Sequence, residues 1–310
     1  MRIVYFGSGA FGLPTLKALV TGHDVAMVVS QPDRPAGRHR ALAPTPISHF
    51  ARSAGLPILK SENVNEPGNV AAIRSANADA MIVIAFGQKL GPELRRNTFA
   101  INLHASLLPK YRGAAPINWA IINGESTTGL SVIMVADQMD AGDILGQVVT
   151  PIDPMETAGE LHDRLAELGP ELLLQVLHLH ETGRAKLQPQ AETLVTRAPK
   201  LSKSEGTVSF DQSAERVRNR VHGLTPWPGC RVLIDGRELR LHRVQMVNST
   251  ERINAPAGTI VGGDLVTCAP GSIRPLAVQP PGGKLMSFAA FRAGHSMAEG
   301  ARMTPLEHAS

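Results

Sequence analysis

Apolar positions in the first half of the chain fall into short runs, separated by Gly- and Pro-bearing turns and by amphipathic stretches. Arg2 to Phe6 is one such run; it leads into Gly7-Ser8-Gly9-Ala10-Phe11-Gly12 and a helical stretch to about Thr21. Asp24 to Ser30 and Leu56 to Leu59 read as further strands, with a helix over Ile47 to Gly55 between them. Ala78 to Ala85 is unbroken in its apolar character, as a central parallel strand covered on both faces should be. Phe99 to Leu103 is the next strand. Alternation of this kind predicts an α/β domain with a doubly wound, Rossmann-like sheet. Beyond it, Ala114 to Asn123 reads as a helix stopped at Asn123-Gly124. Gly129 to Val135 and Ile144 to Val149 read as two antiparallel strands. Glu156 to about His180 carries Leu161, Leu165, Leu168, Leu172, Leu173 and Val176 at helical spacing, which predicts a long helix. Pro170 is expected to bend that helix, or restart it near Leu168-Gly169.

The pattern changes after residue 186. Leu187 to Lys203 has two prolines, mixed polarity and no sustained period, and reads as a linker. A helix from about Ser213 to His222 then precedes short β-rich stretches: Cys230 to Ile234, Glu238 to Met246, Gly258 to Val261, Leu265 to Cys268 and Ile273 to Val278. Asp235-Gly236 is a hairpin turn, and strands at this spacing predict a small β-barrel. Met286 to Gly294 reads as a short helix capped from Ser287. The expected organisation is a catalytic α/β domain over 1–186, a linker over 187–203, and a smaller barrel domain over 204–310.

Composition narrows the class. The chain has 310 residues, 43% hydrophobic and 19% charged, which is a globular composition long enough for two domains. No apolar run approaches bilayer length, and Met1-Arg2-Ile3 enters a strand rather than a signal peptide. Only two cysteines occur, Cys230 and Cys268, too few for a disulfide scaffold and without metal-ligand spacing. They read as small buried hydrophobes, and a cytoplasmic location is expected. The net charge is +4, yet Arg197 to Arg252 holds eleven Lys/Arg against six Asp/Glu. A cationic C-terminal part beside a near-neutral remainder suggests an anionic partner, or else a solvated charged surface.

Candidate chemistry concentrates at residues 101–116. The strand ending on Asn102 and His104 places both side chains on one face. An amide donor beside an imidazole can polarise a carbonyl and stabilise the oxyanion formed on nucleophilic attack. Taken alone, an Asn-x-His pair is usually an ordinary strand end. Asp140, in Asp140-Ala141-Gly142-Asp143, is the candidate acid. The Gly7 to Gly12 turn also fits a dinucleotide site, but Asp24 to Ser30 ends in Ser30-Gln31-Pro32 with no acid at its tip, so tight strand–helix packing is the preferred reading. Gln31 to Pro46 carries Arg34, Arg38, His39 and Arg40 among prolines and is expected to be a projecting loop, neither strand nor helix. His162, His178 and His180 on the long helix lack acidic or Cys companions and are expected at the surface. No metal is expected.

Asn102-x-His104, Ser106-Leu107-Leu108-Pro109-Lys110-Tyr111-Arg112-Gly113 and Asp140-x-Gly142 together resemble the signature of the folate-dependent formyltransferases. Gln31-Pro-Asp-Arg-Pro-Ala-Gly-Arg38, Ala198-Pro-Lys-Leu-Ser-Lys203 and Gly223-Leu-Thr-Pro-Trp-Pro-Gly229 extend the resemblance along almost the whole chain, towards the members that act on methionyl-tRNA. That resemblance implies an enzyme of translation initiation that transfers the formyl group of 10-formyltetrahydrofolate to the α-amino group of initiator methionyl-tRNA. It implies catalysis by Asn102, His104 and Asp140, with the last orienting His104. It implies folate binding around Phe86, Gln88, Leu90, Ser106, Leu107, Leu108 and Pro109. It implies tRNA contacts at Arg34, Arg38, Arg40 and Lys203, an oligonucleotide-binding-type barrel at the C-terminus, no membrane partner, and a monomer. Two alternatives stand beside it: a formyltransferase for an amino-sugar nucleotide, and an RNA-binding protein with idle catalytic residues.

Overall fold

Five consecutive buried residues in Ala80–Ile84 put that strand in the interior of a seven-stranded sheet. The computed structural model describes residues 1–36, 41–247, 254–295, 297–298 and 300–306. Across the sheet the order is Ile144–Pro151, Thr127–Met134, Phe99–His104, Ala80–Ile84, Arg2–Gly7, Asp24–Ser30 and Ile58–Lys60. Arg2–Gly7 pairs in parallel with strands on both sides, and Ala80–Ile84 pairs in parallel with Phe99–His104. Thr127–Met134 runs antiparallel to Phe99–His104. Val83 stands opposite Asn102, so the turn after Ala80–Ile84 and the Asn102–His104 strand end share one edge of the sheet. Ligands in doubly wound sheets bind at such edges.

Contacts divide the chain into two units that interleave in sequence. The first comprises Met1–Gly113, Gly129–Thr150 and His162–Arg197; the second comprises Ala114–Thr128, Pro151–Leu161 and Ala198–Ser310.

In the first unit, the glycine-rich turn is a packing device. The Tyr5 hydroxyl donates to the Gly12 carbonyl at 3.0 Å, and a side chain at Gly12 would collide with that hydroxyl. Tyr5 is fully buried, and burial pushes its phenol pKa upward. At the tip of Asp24–Ser30, where a dinucleotide fold would offer an acid, the Ser30 hydroxyl meets that of Thr45 at 2.7 Å. Phe6 and Phe86 meet edge to face.

The structure departs from the sequence pattern in several places, and at Pro170 it decides against a restart. The 31–46 segment is not wholly loop: Arg34–Ala36 and Ala41–Ala43 pair as an antiparallel ribbon. Pro35 is tolerated there because a two-stranded ribbon leaves one edge of each strand without ladder bonds. The long helix runs without a restart over Ala158–Glu181, with Pro170 inside it. Leu165, Ala166, Leu172 and Leu173 are buried on either side of the proline, so packing outweighs one missing backbone hydrogen bond. Pro67–Ser75 is a helix that the hydrophobic pattern did not mark, because Ile73 is its one buried residue. The helix histidines are only partly at the surface: His178 is exposed, whereas His162 meets Phe11 edge to face and His180 stacks on Phe99.

In the second unit, the strands run Ile260–Val261, Leu265–Thr267, Ser272–Gln279, Arg237–Val247, Cys230–Ile234 and Met303–Pro305, with Met286–Ser287 pairing on Ser272–Gln279. The two ends nearly meet. Ile260 N–H donates to the Ala301 carbonyl at 2.8 Å and Met303 N–H to that of Gly258 at 2.7 Å, which almost closes an antiparallel barrel. Asp235 and Gly236 both have positive φ, as a type I′ hairpin turn requires. The helix Ala214–Gly223 is capped by the Ser213 hydroxyl, and Phe288–Ala293 by that of Ser287. The former packs against Pro116–Ile122, whose Asn118 amide donates to the Gly223 carbonyl at 2.7 Å. Cys230 is fully buried in this core and burial pushes its thiol up to about 12.

Several of the C-terminal cations have intramolecular partners. Arg220 donates to the Thr207 and Glu205 carbonyls, Arg240 to those of Pro226 and Pro228, and Arg243 pairs with Glu160. Part of the local excess of positive charge therefore stabilises this unit itself.

Candidate active site

Asn102 and His104 leave the end of Phe99–His104 on one face, and the loop after Met134 brings Asp140 to them. The Asn102 amide lies 3.5 Å from Asp140 Oδ1. His104 Nδ1 lies 3.7 Å from the same oxygen. The second carboxylate oxygen accepts the Gly113 N–H at 2.9 Å. His104 and Asp140 are both well shielded, at 7% and 11% side-chain exposure, so a charge between them is weakly screened. The contact that orients His104 comes from the backbone: Nε2 meets the Tyr111 carbonyl at 2.9 Å. A carbonyl only accepts, so Nε2 carries a proton, and Nδ1 is the nitrogen turned towards Asp140.

The loop between His104 and Gly113 is held from several directions. Tyr111 adopts a left-handed conformation, with φ of 63°, and its N–H donates to Thr196 Oγ1 at 2.8 Å. The Ser106 hydroxyl donates to the Lys110 carbonyl at 2.7 Å. Ser131 donates to the Ser106 carbonyl and accepts from Leu108 N–H and from Gln147. Gln147 also donates to the Leu108 carbonyl at 3.0 Å. Asp140 is left-handed too, at φ 55°. Gly142 passes so close to Met134 that a Cβ there would stand 2.7 Å from the Met134 carbonyl carbon.

The residues implied for folate divide by location. Phe86 and Leu90 are buried, and the turn containing them follows Ala80–Ile84 at the same sheet edge as Asn102. The Phe86 carbonyl accepts from Ser8 and Gln31. The Gln88 side chain engages the backbone around residues 61–64, accepting from Val64 N–H and donating to the Ser61 carbonyl, both at 2.7 Å. Ser106, Leu107, Leu108 and Pro109 form the loop beside His104; Ser106 and Leu108 are buried there and Leu107 and Pro109 partly exposed. Of the residues implied for tRNA, Arg34 is exposed on the ribbon and Lys203 is exposed at the start of the short 3₁₀ helix Lys203–Gly206. Arg38 and Arg40 lie outside the described residues. Among the described residues no group of three or more His, Cys, Asp or Glu is placed to hold a metal ion, and no helix is long and apolar enough to cross a membrane.

Residue-type reasoning missed the Tyr111 carbonyl and the Gly113 N–H, because backbone groups leave no mark in side-chain identity. It also passed over Ser131, Gln147, Gln190 and Thr196, polar residues in stretches without a distinctive pattern.

The formyl transferase family model matches residues 1–177, and the model of the formyl transferase C-terminal domain matches 200–296. The chain is 40% identical over 305 residues to the methionyl-tRNA formyltransferase of Moorella thermoacetica, covering 97% of this chain and 98% of that one. It is 40% identical over 306 residues to the Geobacter sulfurreducens methionyl-tRNA formyltransferase, covering 98% and 96%. Among solved structures, the sugar 3N-formyl transferase WlaRD, in the presence of dTDP and 5-N-formyl-THF, superposes with a TM-score of 0.68 at 15% identity, covering 89% of this chain and 97% of that one. HypX from Aquifex aeolicus in complex with tetrahydrofolic acid gives 0.63 at 16% identity, over 96% of this chain and 48% of that one. With both family models matched and the relatives covered nearly end to end, the chain belongs to the formyl transferase family, on its methionyl-tRNA formyltransferase branch.

Proposed function

We propose that the protein transfers the formyl group of 10-formyltetrahydrofolate to the α-amino group of methionine esterified to initiator tRNA, in the cytoplasm and as a monomer. The observation that carries the site assignment is that Asn102 and His104, at a strand end, both approach one carboxylate oxygen of Asp140, at 3.5 and 3.7 Å. The neutral amine attacks the formyl carbon, a C–N bond forms, and the carbonyl electron pair moves to oxygen. Asn102 donates to that oxyanion through its amide; a donor so placed is worth about 3–4 kcal/mol of barrier. Since Nε2 of His104 is engaged by Tyr111, the ring acts through Nδ1, donating there when both its nitrogens carry protons. Asp140 takes part in moving the amine proton towards N10 of the folate. Collapse of the intermediate re-forms the carbonyl and breaks the bond to N10, which leaves with its electron pair and gains the proton. Tetrahydrofolate and formylmethionyl-tRNA are the products.

For the donor, the reading uses the turn containing Phe86, Gln88 and Leu90 and the loop from Ser106 to Pro109, which flank the trio on one sheet edge. For the acceptor, Arg34, Arg38, Arg40 and Lys203 contact the tRNA. The catalytic trio and the donor site belong to 1–186, and 204–310 holds the body of the RNA, with 187–203 between them. The deciding experiment compares formyl transfer from 10-formyltetrahydrofolate to methionyl initiator tRNA with transfer to an amino-sugar nucleotide. Turnover with the tRNA alone supports the proposal. Turnover with the sugar nucleotide alone refutes it, and turnover with neither leaves an RNA-binding protein.

A further inference from the structure

The segment expected to be a featureless linker supports the candidate catalytic groups. Gln190 Nε2 donates to the Asp140 carbonyl and to the Gly142 carbonyl, both at 2.8 Å. Those two bonds use both of its amide hydrogens. Its Oε1 accepts from Arg112 Nε at 3.0 Å. The Arg112 side chain is fully buried, and its two terminal nitrogens reach the Glu192 carboxylate at 2.8 and 3.3 Å. Arg112 lies between the two residues whose backbone serves the trio: the Tyr111 carbonyl orients His104, and the Gly113 N–H holds Asp140.

One amide thus ties the turn that presents Asp140 to the strand that orients both Asp140 and His104. That turn needs an external tie. Asp140 adopts a left-handed backbone conformation disfavoured for a residue with a Cβ, and it persists only where its surroundings enforce it.

We infer that Gln190 is a positioning residue for the formyl-transfer site, fixing the Asp140–Gly142 turn against Arg112 and so setting the distance between the Asp140 carboxylate and the Asn102–His104 pair. The inference rests on the catalytic reading of Asp140. A simple anchor for the 187–197 segment requires only that Gln190 bind Arg112. A positioning role requires in addition that it donate to two carbonyls.

Gln190→Glu separates these roles. The carboxylate keeps the length and can pair with Arg112, but when ionised it has no hydrogen to offer either carbonyl and repels both. Gln190→Met, which removes both functions, is the companion variant. Steady-state kinetics with methionyl initiator tRNA and 10-formyltetrahydrofolate are normalised to folate-binding sites titrated by fluorescence, so that unfolded protein does not count. Gln190→Glu is expected to lower kcat by tenfold or more, with KM for both substrates within threefold of wild type and the melting temperature little changed. Gln190→Met is expected to lose at least as much kcat per folate site. Asp140→Asn is measured beside them and should be inactive. Full kcat in Gln190→Glu with an inactive Asp140→Asn overturns the positioning role alone. Full kcat in Asp140→Asn overturns the reading of the site beneath it. A loss in Gln190→Glu that appears as a raised KM for folate also overturns the inference, since it places Gln190 at the donor pocket.

Discussion

Replacing Gly142 by Ala tests whether the position of the Asp140 turn controls the chemistry. The added Cβ would stand 2.7 Å from the Met134 carbonyl carbon, where ordinary contact begins near 3.4 Å. The Met134 backbone cannot yield easily, because its N–H donates to the Asp143 carbonyl at 2.9 Å and its strand is paired with Phe99–His104. The Met134 carbonyl oxygen is nearer still, so the turn must move by more than about 1 Å to restore ordinary contact. Carried to Asp140 two residues earlier, such a shift lengthens the 2.9 Å bond from Gly113 N–H beyond hydrogen-bond range. Misplacing a catalytic group by about 1 Å can cost a factor of roughly 100. The expected loss in kcat is 30- to 100-fold, about 2–3 kcal/mol of barrier. The assay is single-turnover formyl transfer at saturating folate and tRNA, normalised to folate-binding sites. Gly22→Ala is the control: nothing lies within 4 Å of its added Cβ at the end of a helix, and kcat should not change. A Gly142→Ala enzyme with kcat within threefold of wild type would refute the reasoning, because the carboxylate would then tolerate displacement.

Asn102→Ala, His104→Ala and Asp140→Ala should each lower kcat at least about a hundredfold with folate binding retained; near-normal turnover removes that residue from the mechanism. His222 should make stability pH-dependent. Burial pushes its pKa down from 6.5 to about 4, with the Arg218 charge acting the same way, while Val244 N–H donates to its Nε2 at 3.1 Å. The unfolded chain binds the proton first, so stability falls as pH drops from 6.5 towards 4, by on the order of 2–3 kcal/mol. In urea unfolding from pH 7 to 4.5, His222→Gln should show a correspondingly shallower decline, and equal slopes would contradict the assignment. Affinity for tRNA should fall steeply with salt while folate affinity hardly moves; equal dependence would argue against phosphate contacts. Arg38→Lys should reduce kcat/KM for initiator tRNA tenfold or more without changing folate affinity, since Lys lacks the guanidinium fork; full activity would reduce the arm to a general basic patch.

The alternation of apolar runs placed the strands Asp24–Ser30, Ala80–Ile84 and Phe99–His104 and the barrel strands after Cys230, because burial on one or both faces imposes a period readable residue by residue. Caps at Ser213 and Ser287 were legible for a similar local reason: the side chain that ends the helix sits beside it in sequence. Residue type and spacing offered Asn102, His104 and Asp140 only as candidates, and the family resemblance drew them together. The Arg34–Ala36 ribbon was decided by cross-strand pairing with Ala41–Ala43, and the uninterrupted helix through Pro170 by packing, each overriding local proline preferences. The same holds at the site. Tyr111 and Gly113 act there through backbone atoms, which every residue type shares. Gln190 reaches the Asp140 turn from 50 residues away and Arg112 from 78. Sequence by itself determined which chemical groups and which periodic elements this protein has. Only the tertiary structure decided what holds those groups at their working distances, because long-range hydrogen bonds to backbone leave no periodic or compositional trace in the chain.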